Sequence, residues 1–315
     1  MAKSPKKSTT PADSLKVPGL SSEAQAEQKI IRLNKASRAA LMWWENYWSY
    51  LAREREKKLD EIKLAVSTAG IPSFHKNGLS RIVTGAHTKS PLSVVGSLRI
   101  AGRFNIGNIS SSQRSFHCLY LASDEETAQA EKFLHTENDG GEGNLTPEEM
   151  YTQPKGPYLH CTVNVELTNL LDLRKKESLT DFLDIISDIK IPKPLRQRGN
   201  YLKIRPMPKV ISNIDILISS IFEKNFKQWQ TYISAPSNSQ WIGFYAYLAG
   251  MQGVIYPSLR NPAGYNVAVY PDNLKDTTSF VIISPNIEHV SPDNLRMDGK
   301  SYSFFEKDLP NSGAH

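Results

Sequence analysis

Cysteine is nearly absent: Cys118 and Cys161 are the only two in 315 residues. At that spacing they form neither a zinc-ligand pair nor a disulfide framework, which suits a reducing cytoplasm. No apolar run approaches the roughly 20 residues that span a bilayer. The start, "MAKSPKKSTTPADS", is basic but lacks the apolar stretch of a secretory signal, so the expected location is the cytoplasm, with no membrane role. Among the seven histidines there is no His-Glu-x-x-His or other ligand pair at helical spacing, and no metal is expected. A Gly-x-Ser-x-Gly elbow, a Walker-type phosphate loop and a Gly-x-Gly-x-x-Gly turn are missing too, which sets aside the commonest hydrolase, nucleotide and dinucleotide chemistries. Neither sign of charge dominates. A net charge of +6 helps attract an anionic ligand without implying nucleic acid.

What is present is the composition of a globular protein, 39% hydrophobic and 22% charged, long enough for a sizeable core. Residues 1–21 mix Lys, Ser, Thr and Pro and read as a disordered basic tail. Residues 22–70 read as a helical extension: Glu, Ala, Gln, Lys and Arg dominate until Gly70 and Pro72. Leu33, Ala40, Trp44, Trp48, Leu51, Leu59, Ile62 and Val66 approximate a stripe on one long helix, or on two joined near "REREKK". So much apolar surface needs a covering, either the body of the protein, a partner or another copy of the chain through residues 22–69.

Residues 71–315 read as a mixed body. "LSRIV", "CLYLA", "GPYLHCTVNVEL", "GVIYPS", "YNVAVY" and "SFVIIS" predict strands. "SDEETAQAEKFLH" predicts a helix opened by a Ser123–Glu126 capping box. "ESLTDFLDIISDI" and "SQWIGFYAYLAGM" predict two more helices, the second buried. The proline-rich, basic "IPKPLRQRGNYLKIRPMPK" predicts a loop, and "ENDGGEGNLTPEE" a surface insertion. The basic segment has one aromatic, Tyr201, and no binding motif, so nucleic acid is not expected.

The remaining candidates for chemistry stand at strand ends: Arg81, Arg103 with Asn105, Tyr120, Glu131, and Ser258 with Arg260 and Asn266. Helical spacing places Glu131 one turn from Thr127, Ala128 and Leu134, on the small-residue face rather than with Glu125, Gln129 and Lys132. Taken singly, Glu131 reads as a surface acid, Arg81 as a salt-bridge partner and Ser258 as a turn hydroxyl.

Their order changes that reading. "LSRIV", "GRFNIGN", "LYLASDEETAQAE", "LLDL" and "GVIYPSLRNPAGYNVAVY" follow one another as in the RES domain, which the chain resembles over about residues 74–285. That family comprises NAD-consuming toxins related to ADP-ribosyltransferases, commonly neutralised by an Xre-type antitoxin. By position, the resemblance implies a catalytic set of Arg81, Tyr120, Glu131 and Ser258. NAD would be a substrate rather than a cofactor, contacted by Arg81, Tyr120 and Ser258, and the residue types of Arg103, Asn105, Arg260 and Asn266 make them further candidate contacts. The fold it implies is α+β: an ADP-ribosyltransferase-like, mostly antiparallel two-sheet core with helices around it. The extension at residues 22–69 and a long stretch between "LLDL" and "SQWIG" depart from the compact members of the family.

The chemistry agrees with those residue types. Nicotinamide is cationic in NAD and leaves neutral, so one carboxylate suffices where glycosidases use two. The expected activity is cleavage of the nicotinamide–ribose bond by hydrolysis or phosphorolysis. The alternatives are ADP-ribosyl transfer to a protein or nucleic acid, and a non-catalytic interaction protein that works through "LMWWENYWSYL".

Overall fold

The computed structural model describes residues 22–107, 115–133, 158–204, 211–227 and 234–306. The expected tail and the 137–149 insertion lie outside the described residues. The chain divides into two compact units, residues 1–49 with 191–208 and residues 50–190 with 209–315.

The extension is two helices, α1 (Ser22–Lys57) and α2 (Leu59–Thr68), with Lys58 out of helical geometry between them, within the "REREKK" run. In the first unit the Trp43 indole N–H donates to the Leu195 carbonyl at 2.8 Å. The Trp43 ring stacks on Tyr47 with centroids 5.5 Å apart. A Cβ at residue 199 would sit 2.8 Å from the same indole, so glycine is what lets the chain approach. The basic segment expected as a loop contains a helix here, Lys193–Tyr201, capped by Pro192 and with Pro194 in its first turn. Proline costs nothing there, because the first helical N–H groups have no partner inside the helix.

The second unit is built on one mixed sheet. Its strands are β1 (Gly70–Ile71), β2 (Phe74–Thr84), β3 (Leu119–Ala122), β4 (Tyr158–Leu167), β5 (Leu170–Asp172), β6 (Gly253–Pro257), β7 (Tyr265–Val269), β8 (Phe280–Ile283) and β9 (Arg296–Asp298). They lie in the order β1-β5-β6-β7-β3-β2-β4-β8-β9, antiparallel except at β5–β6. Where the sequence led to a two-sheet core, the described residues form a single nine-stranded sheet. Alternation explains its lining: Leu119, Leu121, Val267 and Val269 face one way into the core with Val163, Val165 and Ile283, which leaves Tyr120, Ala122, Asn266 and Ala268 on the opposite face.

Helices cover the remaining surfaces. α2 buries Ile62 and Val66, each contributing about 1.5–3 kcal/mol. It packs against two later helices, Thr180–Ser187 and Asn238–Leu248. The second of these is buried along its whole front from Ser239 to Ala246 and opens with a capping box, Ser237 and Gln240. Helix Glu125–Phe133, which carries Glu131, follows β3 and packs on β2 and β3. Its cap is Asp124 rather than the expected Ser123: the Asp124 carboxylate accepts from the Thr127 N–H at 2.7 Å. Ser123 instead donates to Asp124 and accepts from the Tyr265 N–H, tying the helix start to β7.

Candidate active site

The site begins where the sheet parts. β2 and β3 share one ladder pair, Ser80 with Ala122. Just beyond it the Arg81 guanidinium bridges the gap, donating from Nε to the Pro91 carbonyl at 2.7 Å, from Nη1 to Tyr120 at 2.9 Å and from Nη2 to Ser93 at 3.2 Å. Three of its five N–H groups thus satisfy backbone carbonyls, one on β3 beyond the end of the ladder and two in the 91–93 segment. Burial lowers its pKa to about 10, so it stays charged at neutral pH. Burial and the nearby Arg81 charge also lower the Lys132 ammonium and the His87 imidazole, which marks a cationic neighbourhood beside the Glu131 helix.

Tyr120 and Asn105 form a second assembly. The phenol donates to Asn105 Oδ1 at 2.7 Å and accepts from the Phe104 N–H at 2.9 Å. Asn105 Oδ1 also accepts from the Gly102 N–H at 2.8 Å, while its amide donates to Ser97 at 2.6 Å. Asn105 is fully buried, and burial raises the Tyr120 phenol well above its ordinary value. A Cβ on Gly102 would fall 2.4 Å from the Tyr120 hydroxyl, so the turn closes only on glycine. Gln240 reaches the same turn, donating to the Gly102 carbonyl at 3.0 Å. The Ser237-x-x-Gln240 box carried a sequence signal for a helix start but none for this contact.

Glu131 is the centre of the third assembly. Its Oε1 accepts from Ser258 Oγ at 2.7 Å and from Asn266 Nδ2 at 2.9 Å. Oε2 lies 3.8 Å from Arg260 Nε, and Arg260 Nη1 donates to the Glu131 carbonyl at 3.0 Å. The carboxylate side chain is 35% exposed, whereas Ser258 and Asn266 are each 4% exposed. Ser258 Oγ in turn accepts from the Arg260 and Asn261 N–H groups at 3.2 and 3.0 Å, which aims its one proton at Glu131. Asn261 donates to Thr127 Oγ1 at 2.9 Å, one helical turn before Glu131. A Cβ on Gly264 would come within 2.0 Å of that same hydroxyl, so loop and helix meet without a side chain between them. Asn261, Thr127 and Gly264 were not singled out from the sequence, because only the fold brings them together.

Arg103 is coupled to the Tyr120 and Glu131 groups through its charge, while its hydrogen bonds go elsewhere. It donates to the carbonyls of Ile221 and Glu223 at 3.3 and 2.9 Å and lies 4.5 Å from the Phe226 ring centroid. Burial lowers its pKa, while Tyr256, Glu131 and Tyr120 act on it in the opposite sense and Arg260 adds to the lowering. Glu131, Ser258, Asn266 and Arg260 therefore make one hydrogen-bonded cluster, with Arg103 in electrostatic contact with it. Tyr120 with Asn105, and Arg81 bonded to the Tyr120 carbonyl across the β2–β3 gap, share no hydrogen bond with that cluster among the described residues. Among the described residues no group of carboxylates, histidines and cysteines is arranged to hold a metal ion. No described helix is long and apolar enough to cross a membrane.

This arrangement offers a fixed carboxylate, buried cations and a closed turn, which suits stabilising a positive centre next to a polyanion. No curated protein matches the chain. Among solved structures it is similar to a chain from the crystal structure of the M. tuberculosis MbcT–MbcA toxin–antitoxin complex, with 15% identity and a TM-score of 0.39 over 78% of this chain and 97% of that one. A family model, the RES domain, matches residues 79–291. That match covers more than half of the chain and takes in Arg81, Tyr120, Glu131 and Ser258, so the protein belongs to the RES domain family.

Proposed function

We propose that the protein is a toxin-type enzyme that consumes NAD by breaking the nicotinamide–ribose bond. The observation that carries this reading is the state of Glu131: one carboxylate oxygen is held by two donors, and the other, 3.8 Å from Arg260 Nε, accepts no hydrogen bond among the described residues. As the bond breaks, nicotinamide departs neutral and positive charge builds on the ribose. A carboxylate fixed in advance stabilises that charge without reorganising, an effect worth about 3–4 kcal/mol for one well-placed group. Burial of Ser258 and Asn266 removes competing water from the oxygen they hold.

The cations supply the complementary function. Arg81 keeps two N–H groups beyond its three carbonyl bonds, and Arg103 and Arg260 lie on the Glu131 side. Together they suit the doubly negative pyrophosphate through charge-assisted bonds. Asn105, fully buried and bonded within the protein, would shape the 102–107 turn instead of meeting the substrate. The Tyr120 hydroxyl is likewise committed, which leaves its ring face for a flat group of the substrate. On the family's pattern, an Xre-type antitoxin would neutralise the activity by covering the Glu131 site.

The test is incubation of the purified protein with NAD, with and without inorganic phosphate, and identification of products by mass. Nicotinamide with ADP-ribose denotes hydrolysis, and nicotinamide with a phosphorylated ADP-ribose denotes phosphorolysis. Nicotinamide release that requires an added protein or nucleic acid would replace this reading with ADP-ribosyl transfer. Intact NAD under all three conditions would refute it.

A further inference from the structure

We infer that Asn266 is a positioning residue for Glu131 and not a contact to the substrate. The inference rests on the reading of Glu131 as the working carboxylate. Asn266 lies within β7, between two paired neighbours, Ala122 of β3 and Tyr256 of β6. Ladders on both sides fix its backbone, and the side chain is 4% exposed. Its amide meets Glu131 Oε1 at 2.9 Å, the same oxygen that Ser258 holds at 2.7 Å. One donor comes from the middle of the sheet and one from the 258–264 loop. Both point at a single oxygen, so the carboxylate plane is set and Oε2 is left to face a developing cation.

The residue type fits this role. A lysine or arginine at residue 266 would neutralise the charge that the reaction needs. A neutral amide donor orients the carboxylate and leaves its charge intact. The loop donor is itself anchored to the Glu131 helix, through Asn261 on Thr127 and through Arg260 on the Glu131 carbonyl. Helix, loop and strand therefore define one position for the carboxylate.

Asn266→Asp is the informative variant, because it keeps the shape and turns the donor into a charged acceptor. At neutral pH, two facing carboxylates repel and the hold on Oε1 is lost. The full-length variant is expected to bind NAD within about threefold of wild type while releasing nicotinamide about 100-fold more slowly. As the pH falls and the pair takes up a proton, the donor returns, so the ratio of variant to wild-type rate should rise toward acid. Asn266→Ala should be slow at every pH. A tenfold or larger loss of NAD affinity with an unchanged rate would make Asn266 a substrate contact and overturn the inference. A variant-to-wild-type ratio independent of pH would make it a merely structural residue.

A second readout needs no turnover. In protein labelled with 15N only at asparagine, one side-chain amide pair, assigned by its loss in Asn266→Asp, should move when Glu131 is replaced by alanine and when it is replaced by glutamine. If wild-type protein leaves NAD intact but this coupling is present, the proposed reaction fails and the positioning stands. If the coupling is absent, the positioning fails whether or not NAD is consumed.

Discussion

Arg81 Nη1 donates to the Tyr120 carbonyl across 2.9 Å, immediately past the one residue pair that joins β2 to β3. The guanidinium does there what a strand neighbour does elsewhere, and it carries a charge into the gap while doing so. Structure and electrostatics are therefore inseparable at this residue.

Substitutions of Arg81 should act on stability as well as on NAD. A lysine ammonium cannot span the carbonyls of Pro91, Tyr120 and Ser93 in one planar fork. Arg81→Ala leaves all three short of a donor, at about 1–3 kcal/mol for each buried group left unsatisfied. Urea unfolding should show a loss of about 3 kcal/mol or more for Arg81→Ala and a smaller loss for Arg81→Lys. NAD affinity should fall in the same order. Unchanged stability in both variants would mean that the three bonds do not hold the gap.

Gly264→Ala tests the seam between the loop and the Glu131 helix. The added carbon would collide with Thr127 Oγ1. Either the loop lifts, taking Ser258 and Arg260 off Glu131, or Thr127 gives up its bond to Asn261. Overpacking of this kind costs about 1–3 kcal/mol. The expected result is a lower Tm together with slower nicotinamide release. Double substitution with Thr127→Ala, which makes room, should recover part of the stability.

Alkaline pH should destabilise the fold through its buried phenols. Burial raises Tyr120, Tyr256 and Tyr270 well above their ordinary value, and raises the Cys118 thiol as well. In the unfolded chain the phenols lose their protons near about pH 10 and the thiol somewhat earlier. The unfolded state then holds fewer protons than the folded state, so stability falls as pH rises through that range. Arg81, Arg103 and Lys132, whose folded forms release protons more readily, act in the opposite sense, but Tyr50, Cys161 and Tyr265 are raised as well and add to the loss. Thermal melts at about pH 8 and pH 10.5 should show the drop, with a shallower slope in Tyr120→Phe.

The role expected of the extension at residues 22–69 is assembly or partner binding. Leu41 and Met42 are exposed on α1, at 39% and 61%, whereas Trp43 and Tyr47 are buried. Replacing Leu41 and Met42 together by glutamate should lower the mass seen by light scattering and leave nicotinamide release unchanged. An unchanged mass would remove these two residues from any interface.

What was legible in the sequence was local. The strands at 79–83, 118–122 and 265–270 and the buried helix after Ser237 follow from periodicity, and a break within "REREKK" is one of the two readings the extension allows. Spacing puts Glu131 on the face of Thr127 and Ala128, yet by itself it reads as a surface acid; the order of the motifs singles it out. The helix at Lys193–Tyr201 was hidden because its prolines count as breakers until their place in the first turn is known. Asp124 displaced Ser123 as the cap because Ser123 is drawn to Tyr265, more than a hundred residues away. Long-range partners of this kind decide the site. Asn261 on Thr127, Gln240 on Gly102 and Arg81 on Pro91 are matters of topology, and no periodicity in the chain encodes them.

The most direct test of the central claim is the rate of nicotinamide release from NAD by wild-type protein and by Glu131→Gln, measured alongside the NAD affinity of each. Glutamine retains an acceptor for Ser258 and Asn266, so the variant should stay folded and bind NAD. The account predicts a rate at least about 100-fold lower with affinity changed little. Equal rates from two folded proteins would contradict it.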